Sequence, residues 1–181
     1  MYGRYQRRRG PTYRVVQRSE TYRTDWSDAQ FCLAPLGVGW GVRLSWSVAA
    51  GCVPVLGASE VAPWFGDAID WTRLALTGVP KESVKDLHVM LDGIPPAARD
   101  AMHAHVMRHR MLFVWNAAVG GRAYNMTMHE LCWRARYRHA GVDCNALLPS
   151  DVRGLVVPPA ERPVRKGGRA TTWWRRAREV R

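Results

Sequence analysis

The apolar positions in the first third of the chain form two short runs separated by a glycine loop and a helix. The first run is Phe31 to Leu33, and the second is Cys52 to Leu56. A helix is predicted between them, from Val42 to Ala50. Three glycines precede this helix at alternate positions: Gly37, Gly39 and Gly41. This order predicts a βαβ unit with parallel strands and a right-handed crossover.

The rest of the chain is predicted to be mostly helical. The predicted elements are a helical turn over residues 24–30, a third strand from Arg73 to Thr77, and helices from Pro80 to Leu91, from Pro95 or Pro96 to Ala118, and from Met128 to His139. Thr127 and Glu130 form a capping-box pattern at the start of the last helix. Asp70 is predicted to cap a local turn, and Trp71 to pack on the sheet.

The positive charge of the chain lies in its two end segments. The 181 residues carry 27 Lys or Arg and 15 Asp or Glu, a formal net charge of +12. Residues 1–25 hold seven Arg and two acids, and residues 161–181 hold eight basic residues and two acids. The middle of the chain is nearly neutral, and both end segments are predicted to be poorly ordered.

No apolar run approaches the roughly 18 residues that a membrane span needs. The sequence after Met1 has no apolar region of the kind found in signal peptides. Taken as it stands, the sequence predicts a soluble chain that is not exported, or a piece of a longer one.

Four cysteines raise the question of the redox compartment. Cys32 and Cys52 lie in apolar runs, which predicts buried, inert thiols. Cys132 and Cys144 flank the segment Trp133 to Asp143 and would pair in an oxidising compartment.

The glycine loop is the strongest candidate for a binding site. A glycine-rich turn at a helix N-terminus offers backbone N–H groups to an anion, usually a phosphate. Arg43 lies in the first helical turn, where a cation opposes the helix dipole, and a bound anion would offset that cost. The alternative interpretation is a plain tight turn.

Residues 28 to about 116 resemble the C-terminal half of the exostosin family of glycosyltransferases. The motifs that carry the resemblance are Phe31-Cys32-Leu33-Ala34-Pro35, the glycine loop with Trp40-Gly41-x-Arg43-Leu44, Gly51-Cys52-Val53-Pro54-Val55, Asp70-Trp71 ten residues after Glu60, and Ile94-Pro95. The resemblance implies a two-lobed GT-B architecture whose Rossmann-like C-terminal lobe binds a nucleotide sugar. It also implies a Golgi membrane or luminal protein that builds polysaccharides or glycosaminoglycans.

Two positions depart from the family pattern. Trp46 stands where family members commonly have a Glu, which would accept hydrogen bonds from the donor's ribose, whereas an indole only donates. Ala58-Ser59 replaces a common Ser-Asp pair, and Glu60 follows one place later. The N-terminal lobe that the family architecture requires would not fit into residues 1–25.

Three further motifs could have a chemical role, but each also has an ordinary explanation that involves no chemistry. His103, His105 and His109 share a predicted helix, but a solvated or half-buried face explains them better than a metal site. His129 and Cys132, with His139 and Cys144, have irregular spacing for zinc, and no metal site is predicted. Asn125-Met126-Thr127 is an N-glycosylation sequon.

The C-terminal tail combines cations with Trp173 and Trp174. Such a segment suits single-stranded nucleic acid, an anionic membrane surface or an acidic polysaccharide. The alternative interpretation is a disordered basic tail with no specific ligand.

The sequence therefore predicts three regions: a basic flexible segment (1–25), an exostosin-like donor-binding lobe (26–145), and a Pro-containing linker with a basic Trp-rich tail (146–181). The predicted function is binding of a nucleoside-diphosphate sugar, such as a UDP-sugar, for transfer to a glycan acceptor, with a further N-terminal lobe as partner. The predicted donor-binding residues are Gly37, Gly39, Gly41 and Arg43. Glu60 is only a weak catalytic candidate. The alternatives are an inactive family remnant, or a basic adaptor that binds nucleic acid or acidic glycan through its tails.

Overall fold

A computed structural model of the chain describes residue 13 and residues 19–35, 42–56, 63–66, 68–79, 85–135 and 141–157. The α-helices in these ranges are α1 (Tyr22–Ser27), α2 (Val42–Ala50), α3 (Trp71–Leu74), α4 (Leu87–Asp92), α5 (Pro96–His109), α6 (Ala123–Ala135) and α7 (Ser150–Arg153). The strands are β1 (Phe31–Leu33) and β2 (Val53–Val55). The 3₁₀ segments are Arg110–Phe113, Ala117–Val119 and Cys144–Leu147. This mixture of helices with a small parallel sheet is compatible with the predicted α/β class.

The strand–helix–strand unit predicted from the sequence is present. β1 pairs with β2 in parallel, with Phe31 opposite Val53 and Leu33 opposite Val55, and α2 lies between the two strands in the chain. The pairing continues one residue further, because the Ala34 N–H donates to the Val55 carbonyl oxygen at 3.0 Å. The glycine loop itself lies outside the described residues.

The prediction of free thiols at Cys32 and Cys52 is wrong, because the two residues form a disulfide. Cys32 is the middle residue of β1, and Cys52 immediately precedes β2. The parallel register brings their Cα atoms to 5.8 Å, within the range that a disulfide spans. The pairing proposed for Cys132 and Cys144 is also present, with a Cα–Cα distance of 5.6 Å.

The predicted third strand from Arg73 to Thr77 is mostly wrong. The Asp70 side chain accepts hydrogen bonds from the Thr72 backbone N–H at 3.1 Å and from its hydroxyl at 2.6 Å. This cap starts α3, which runs to Leu74. Only Leu76 reaches the sheet, through an isolated parallel bridge to Val55. The capping role predicted for Asp70 is confirmed.

The predicted long helix ends earlier than expected. α5 starts at Pro96 as predicted but stops at His109, and a 3₁₀ turn carries the chain to Phe113. Asn116 then caps a second 3₁₀ turn by accepting from the Ala118 N–H at 3.0 Å. Gly120, with φ of 85°, ends that turn in the left-handed conformation. The chain that was predicted as one helix up to Ala118 is therefore divided into α5 and two 3₁₀ turns.

The last long helix begins at Ala123, five residues before the predicted start at Met128. The capping-box prediction is wrong, because Thr127 lies inside α6 and its hydroxyl donates to the Ala123 carbonyl oxygen at 2.8 Å. The predicted end of this helix at His139 lies outside the described residues. In the helix before α5, residues 80–84 are also outside them, and the described helix α4 covers Leu87–Asp92.

The apolar side chains pack into two clusters that meet at the sheet. Val53 of β2 joins the larger cluster, with buried residues from α2, α3, α5 and α6, and Val55 joins the smaller one with Leu87 and Leu91 of α4. The prediction for Trp71 holds, since it is buried and its indole N–H donates to the Trp64 carbonyl oxygen at 2.9 Å. All three residues of β2 are buried, and because successive side chains point to opposite faces, both faces of this strand are covered, as is usual in a parallel sheet.

The core also takes residues from both ends of the described chain. Leu148 and Val152 are each only 2% exposed. The Tyr13 hydroxyl donates to the His88 carbonyl oxygen at 3.0 Å and contacts the Asp92 carboxylate. The predicted boundaries at residues 25 and 145 stay a prediction.

Candidate functional site

The carboxyl ends of the paired strands define the candidate site. β1, β2 and the segment around Leu76 run in the same direction, and the Leu56 N–H donates to the Leu76 carbonyl oxygen at 2.8 Å. All three segments therefore end at one edge of the sheet. In open α/β sheets, ligands bind in the crevice just beyond this edge.

Helix α2 ends at Ala50, and a turn at Gly51 and Cys52 leads directly into the start of β2. The first turn of α2 therefore lies towards the other end of the strand, where the carboxyl edge is. The first four N–H groups of an α-helix have no partner within the helix. The hydroxyl groups of Ser45 and Ser47 donate to the carbonyl oxygens of Val42 and Arg43, at 3.0 and 2.7 Å. These serines therefore bond carbonyl oxygens of the first turn of α2.

Arg43 lies in the first turn of α2 and is exposed. That turn contains no acidic residue. Within the described part of the chain, Arg43 makes no ion pair. Its cation lies at the positive end of the helix dipole, an arrangement that costs a few tenths of a kcal/mol without an anion nearby. The geometry is suited to binding an anion.

Trp46 follows Arg43 by three residues on the same helix and is 52% exposed. Residues three apart are neighbours on a helix surface, and their side chains lean towards the helix N-terminus. The indole ring therefore lies on the same face of α2 as the guanidinium group. This part of the helix presents a cation and an aromatic ring side by side.

The remaining residues of the predicted site lie outside the described residues. They are Gly37, Gly39, Gly41 and Glu60. Their roles stay predictions, and only Arg43 of the predicted donor-binding set has a described position.

The three histidines of α5 differ in their surroundings, since His103 is exposed, His105 is half-buried and His109 is buried. His109 is buried, and its Nδ1 and Nε2 lie 2.8 and 3.3 Å from the carbonyl oxygens of His105 and Leu155. Partial burial, with the cations of Arg73, His109 and Arg108, lowers the pKa of His105, and Asp70 opposes this effect. Within the described ranges, no group of three or more His, Cys, Asp or Glu is arranged to hold a metal ion.

A second polar cluster, which the sequence did not predict, joins α6 to the Cys144–Leu147 segment. His129 is fully buried, and its Nε2 lies 3.3 Å from the Asn145 side-chain oxygen. Asn125 donates from Nδ2 to the Leu147 carbonyl oxygen at 3.2 Å. Since Asn145 lies outside every periodic pattern, no sequence signal pointed to its pairing with His129. This cluster fixes one side of α6 to the segment after it.

The region that carries these features is an α/β unit with a small parallel sheet. Residues 3–94 match the family model described as the Exostosin GT47 domain. This match covers half of the chain, which belongs to the exostosin GT47 family of glycosyltransferases.

Relatives in plants carry glycosyltransferase names. The chain is 36% identical over 117 residues to "Probable glucuronosyltransferase GUT1" of Oryza sativa subsp. japonica, covering 62% of this chain and 28% of that protein. It is 40% identical over 115 residues to "Probable beta-1,4-xylosyltransferase IRX10" of Arabidopsis thaliana, covering 61% of this chain and 28% of that protein. The chain therefore spans less than a third of the length of these two relatives.

No helix among the described residues is both long and apolar enough to cross a bilayer.

Proposed function

We propose that this chain is the lobe of an exostosin-family glycosyltransferase that binds a nucleoside-diphosphate sugar for transfer to a glycan acceptor. The observation that carries the proposal is the exposed Arg43 in the first turn of α2, beside the carboxyl edge of a parallel sheet. Family membership supports the same role for this edge. The donor class inferred from the family is a UDP-sugar.

In this proposal, the backbone N–H groups around Gly37, Gly39 and Gly41 hold the diphosphate. Arg43 balances the charge of the diphosphate in the bound donor. As the bond from the sugar to the diphosphate breaks, negative charge grows on the leaving group, and Arg43 stabilises it further. The exposed ring of Trp46 supplies a surface on which a nucleobase stacks.

The acceptor and the catalytic base belong to parts of the enzyme beyond the described residues. Glu60 stays the only candidate base from this chain, and a weak one. We propose that an N-terminal lobe, of the kind the longer relatives have room for, supplies the acceptor site. A Golgi membrane or luminal location fits the two disulfides, which form in oxidising compartments.

A second candidate function is that of a family member that keeps the fold but has lost donor binding. The observation that favours it is Trp46, which stands where the family pattern has a carboxylate. A buried ribose hydroxyl that lost its acceptor would weaken binding by about 1–3 kcal/mol. The polyanion-binding alternative rests on the tails, which lie outside the described residues, and it stays a prediction.

Thermal unfolding in the presence of ligand separates the two candidates. A ligand that binds only the folded state stabilises it by about 2.7 kcal/mol at a concentration 100 times its Kd. A donor-binding lobe with Trp46 as a stacking surface is expected to show a raised Tm with UDP in the wild type and in Trp46→Phe. The same rise should be lost in Trp46→Ala.

The remnant predicts the opposite pattern. The wild type would show no rise in Tm with UDP, and Trp46→Glu, which restores the carboxylate, would gain one. A wild type whose Tm does not respond to UDP or to any UDP-sugar would contradict the leading proposal.

A further inference from the structure

Helix α6 carries an exposed apolar stripe that the donor-binding proposal does not use. Tyr124, Met128 and Leu131 are 63%, 37% and 53% exposed. Their spacing of four and three residues puts them on one face of the helix. We call these three residues the outer stripe. Exposed apolar residues that adjoin one another form a surface that another group can cover.

Asn125 lies at the flank of the outer stripe, next to Tyr124 and three residues before Met128. Its side chain is half-buried, and Nδ2 donates to the Leu147 carbonyl oxygen at 3.2 Å. Leu147, whose carbonyl oxygen accepts this bond, is itself 39% exposed. A carboxamide nitrogen carries two hydrogens. One hydrogen serves Leu147, and the other can be replaced by a substituent without loss of this bond.

The sequence around Asn125 meets the requirement for such a substituent. Asn125-Met126-Thr127 is the only Asn-x-Ser/Thr sequence in the 181 residues. The two disulfides, Cys32–Cys52 and Cys132–Cys144, are typical of proteins that mature in an oxidising secretory compartment. That compartment is also where sequons are glycosylated. The second disulfide and the sequon share helix α6.

We propose that Asn125 carries an N-linked glycan whose inner sugars cover the outer stripe. In the modification, Nδ2 loses one proton and forms a bond to the anomeric carbon of an oligosaccharide. The bond from that carbon to a diphosphate oxygen of a lipid-linked donor breaks, and the lipid diphosphate leaves with the electron pair. The apolar faces of the sugar rings then lie against Tyr124 and its neighbours.

The folded geometry sets the order of events. In the folded chain, the Thr127 hydroxyl donates to the Ala123 carbonyl oxygen and Asn125 is bonded to Leu147. The Cys132–Cys144 disulfide holds α6 against the segment that contains Leu147. Both groups of the sequon are therefore engaged once this helix is docked. The glycan is added before the Cys132–Cys144 disulfide closes.

The modification is tested by importing the full chain, with an appended secretory leader, into microsomes derived from the endoplasmic reticulum. Import is scored separately, by protection from added protease. The wild type and Thr127→Ser, which keeps the sequon, are expected to show one gel shift that a glycosidase removes. Asn125→Gln is expected to show none. A protected wild type without a shift would overturn the proposal.

A matched variant shows that the microsomes can modify this chain. Asn116 lies in an exposed turn, and Ala118→Thr would place a sequon there. The double variant Asn125→Gln/Ala118→Thr is expected to regain a single shift. If that variant shifts while the protected wild type does not, Asn125 is inaccessible and the proposal is wrong.

The covering of the outer stripe is tested with a dye that fluoresces on apolar surface. In the Asn125→Gln background, Leu131→Lys is expected to lower dye binding, whereas in the glycosylated chain it changes little. Val89→Lys is the control, because Val89 is 61% exposed on α4 and should lower dye binding equally in both backgrounds. An equal effect of Leu131→Lys in both backgrounds would overturn the covering role. Self-association of the glycosylated chain through the outer stripe would also overturn the covering role.

Discussion

Gly121 occupies a position where a single added carbon does not fit. A Cβ atom there would lie 2.3 Å from the Val114 carbonyl oxygen and 2.6 Å from that of Asn116. Both neighbours are backbone atoms, so neither can turn aside. Gly121→Ala is therefore expected to lower the free energy of unfolding by about 1–3 kcal/mol, measured by urea denaturation.

Gly154→Ala is the matched control, because a Cβ atom at Gly154 meets nothing within 4 Å. Its effect on the free energy of unfolding is expected to stay within about 0.5 kcal/mol of zero. Equal losses in the two variants would show that the close approach at Gly121 is not what stabilises this turn.

His105 links stability to pH. Burial, together with the cations of Arg73, His109 and Arg108, lowers the pKa of His105 below the 6.5 of an unperturbed histidine. The unfolded chain therefore binds this proton more readily than the folded chain. The contribution of His105 to stability is fully present above pH 6.5 and is lost as the pH falls towards the lowered pKa. His105→Gln is expected to flatten the fall in stability over this interval.

The measurement for His105 is urea unfolding at a series of pH values, from neutral down to mildly acidic. His103→Gln serves as the control, because His103 is exposed on the same helix. It should leave the slope of stability against pH as in the wild type. A slope that is unchanged in His105→Gln would show that His105 does not link stability to pH.

At the scale of elements, the Cys132–Cys144 disulfide joins α6 to the Cys144–Leu147 segment. It closes a loop with a sequence separation of 12. Such a bridge typically stabilises a fold by about 2–4 kcal/mol, chiefly by restricting the unfolded chain. The variant Cys132→Ala/Cys144→Ala is expected to lose stability in that range, measured by urea unfolding without reductant.

Thiol titration of denatured protein from an oxidising compartment provides the check on both bridges. None of the four cysteines is free in the structure, so the unreduced wild type should show no reactive thiol. Four reactive thiols would contradict both disulfides.

The sequence predicted the elements whose signals are local and consistent. The apolar runs at β1 and β2, with a helix between them, were correctly placed because pattern and glycine punctuation agree there. The prediction of a strand from Arg73 to Thr77 was mostly wrong, because the cap at Asp70 starts a helix and outweighs the strand tendency of the residues after it. The predicted start of α6 was wrong, because the Thr127 hydroxyl donates to a carbonyl oxygen inside the helix and does not cap its N-terminus.

The tertiary contacts were harder to predict, since they depend on register and docking. The pairing of Cys32 with Cys52 follows from the strand register, which no single residue reveals. The burial of His109 between two carbonyl oxygens depends on the segment at Leu155, 46 positions away. At the candidate site, the predicted helix from Val42 to Ala50 is present with Arg43 in its first turn, and the donor-binding role of Arg43 stays a prediction.

At the scale of the whole molecule, the described residues form one small parallel sheet that contributes to two apolar clusters, with a cationic helix start near the sheet. The family membership and the relatives' names connect this arrangement to glycosyl transfer. The chain spans 28% of the length of those relatives. Donor binding, which we propose for this chain, is therefore the step to test.

The most direct test is calorimetric titration of the folded chain with UDP, comparing the wild type with Arg43→Ala. Arg108→Ala is the matched control, because it removes another exposed cation from a helix, α5. Circular dichroism and thermal unfolding establish that each variant is folded. Saturable binding is expected in the wild type and in Arg108→Ala, and its loss is expected in Arg43→Ala. Binding that survives in Arg43→Ala, or a folded wild type that binds no UDP at millimolar concentration, would contradict the proposed donor binding.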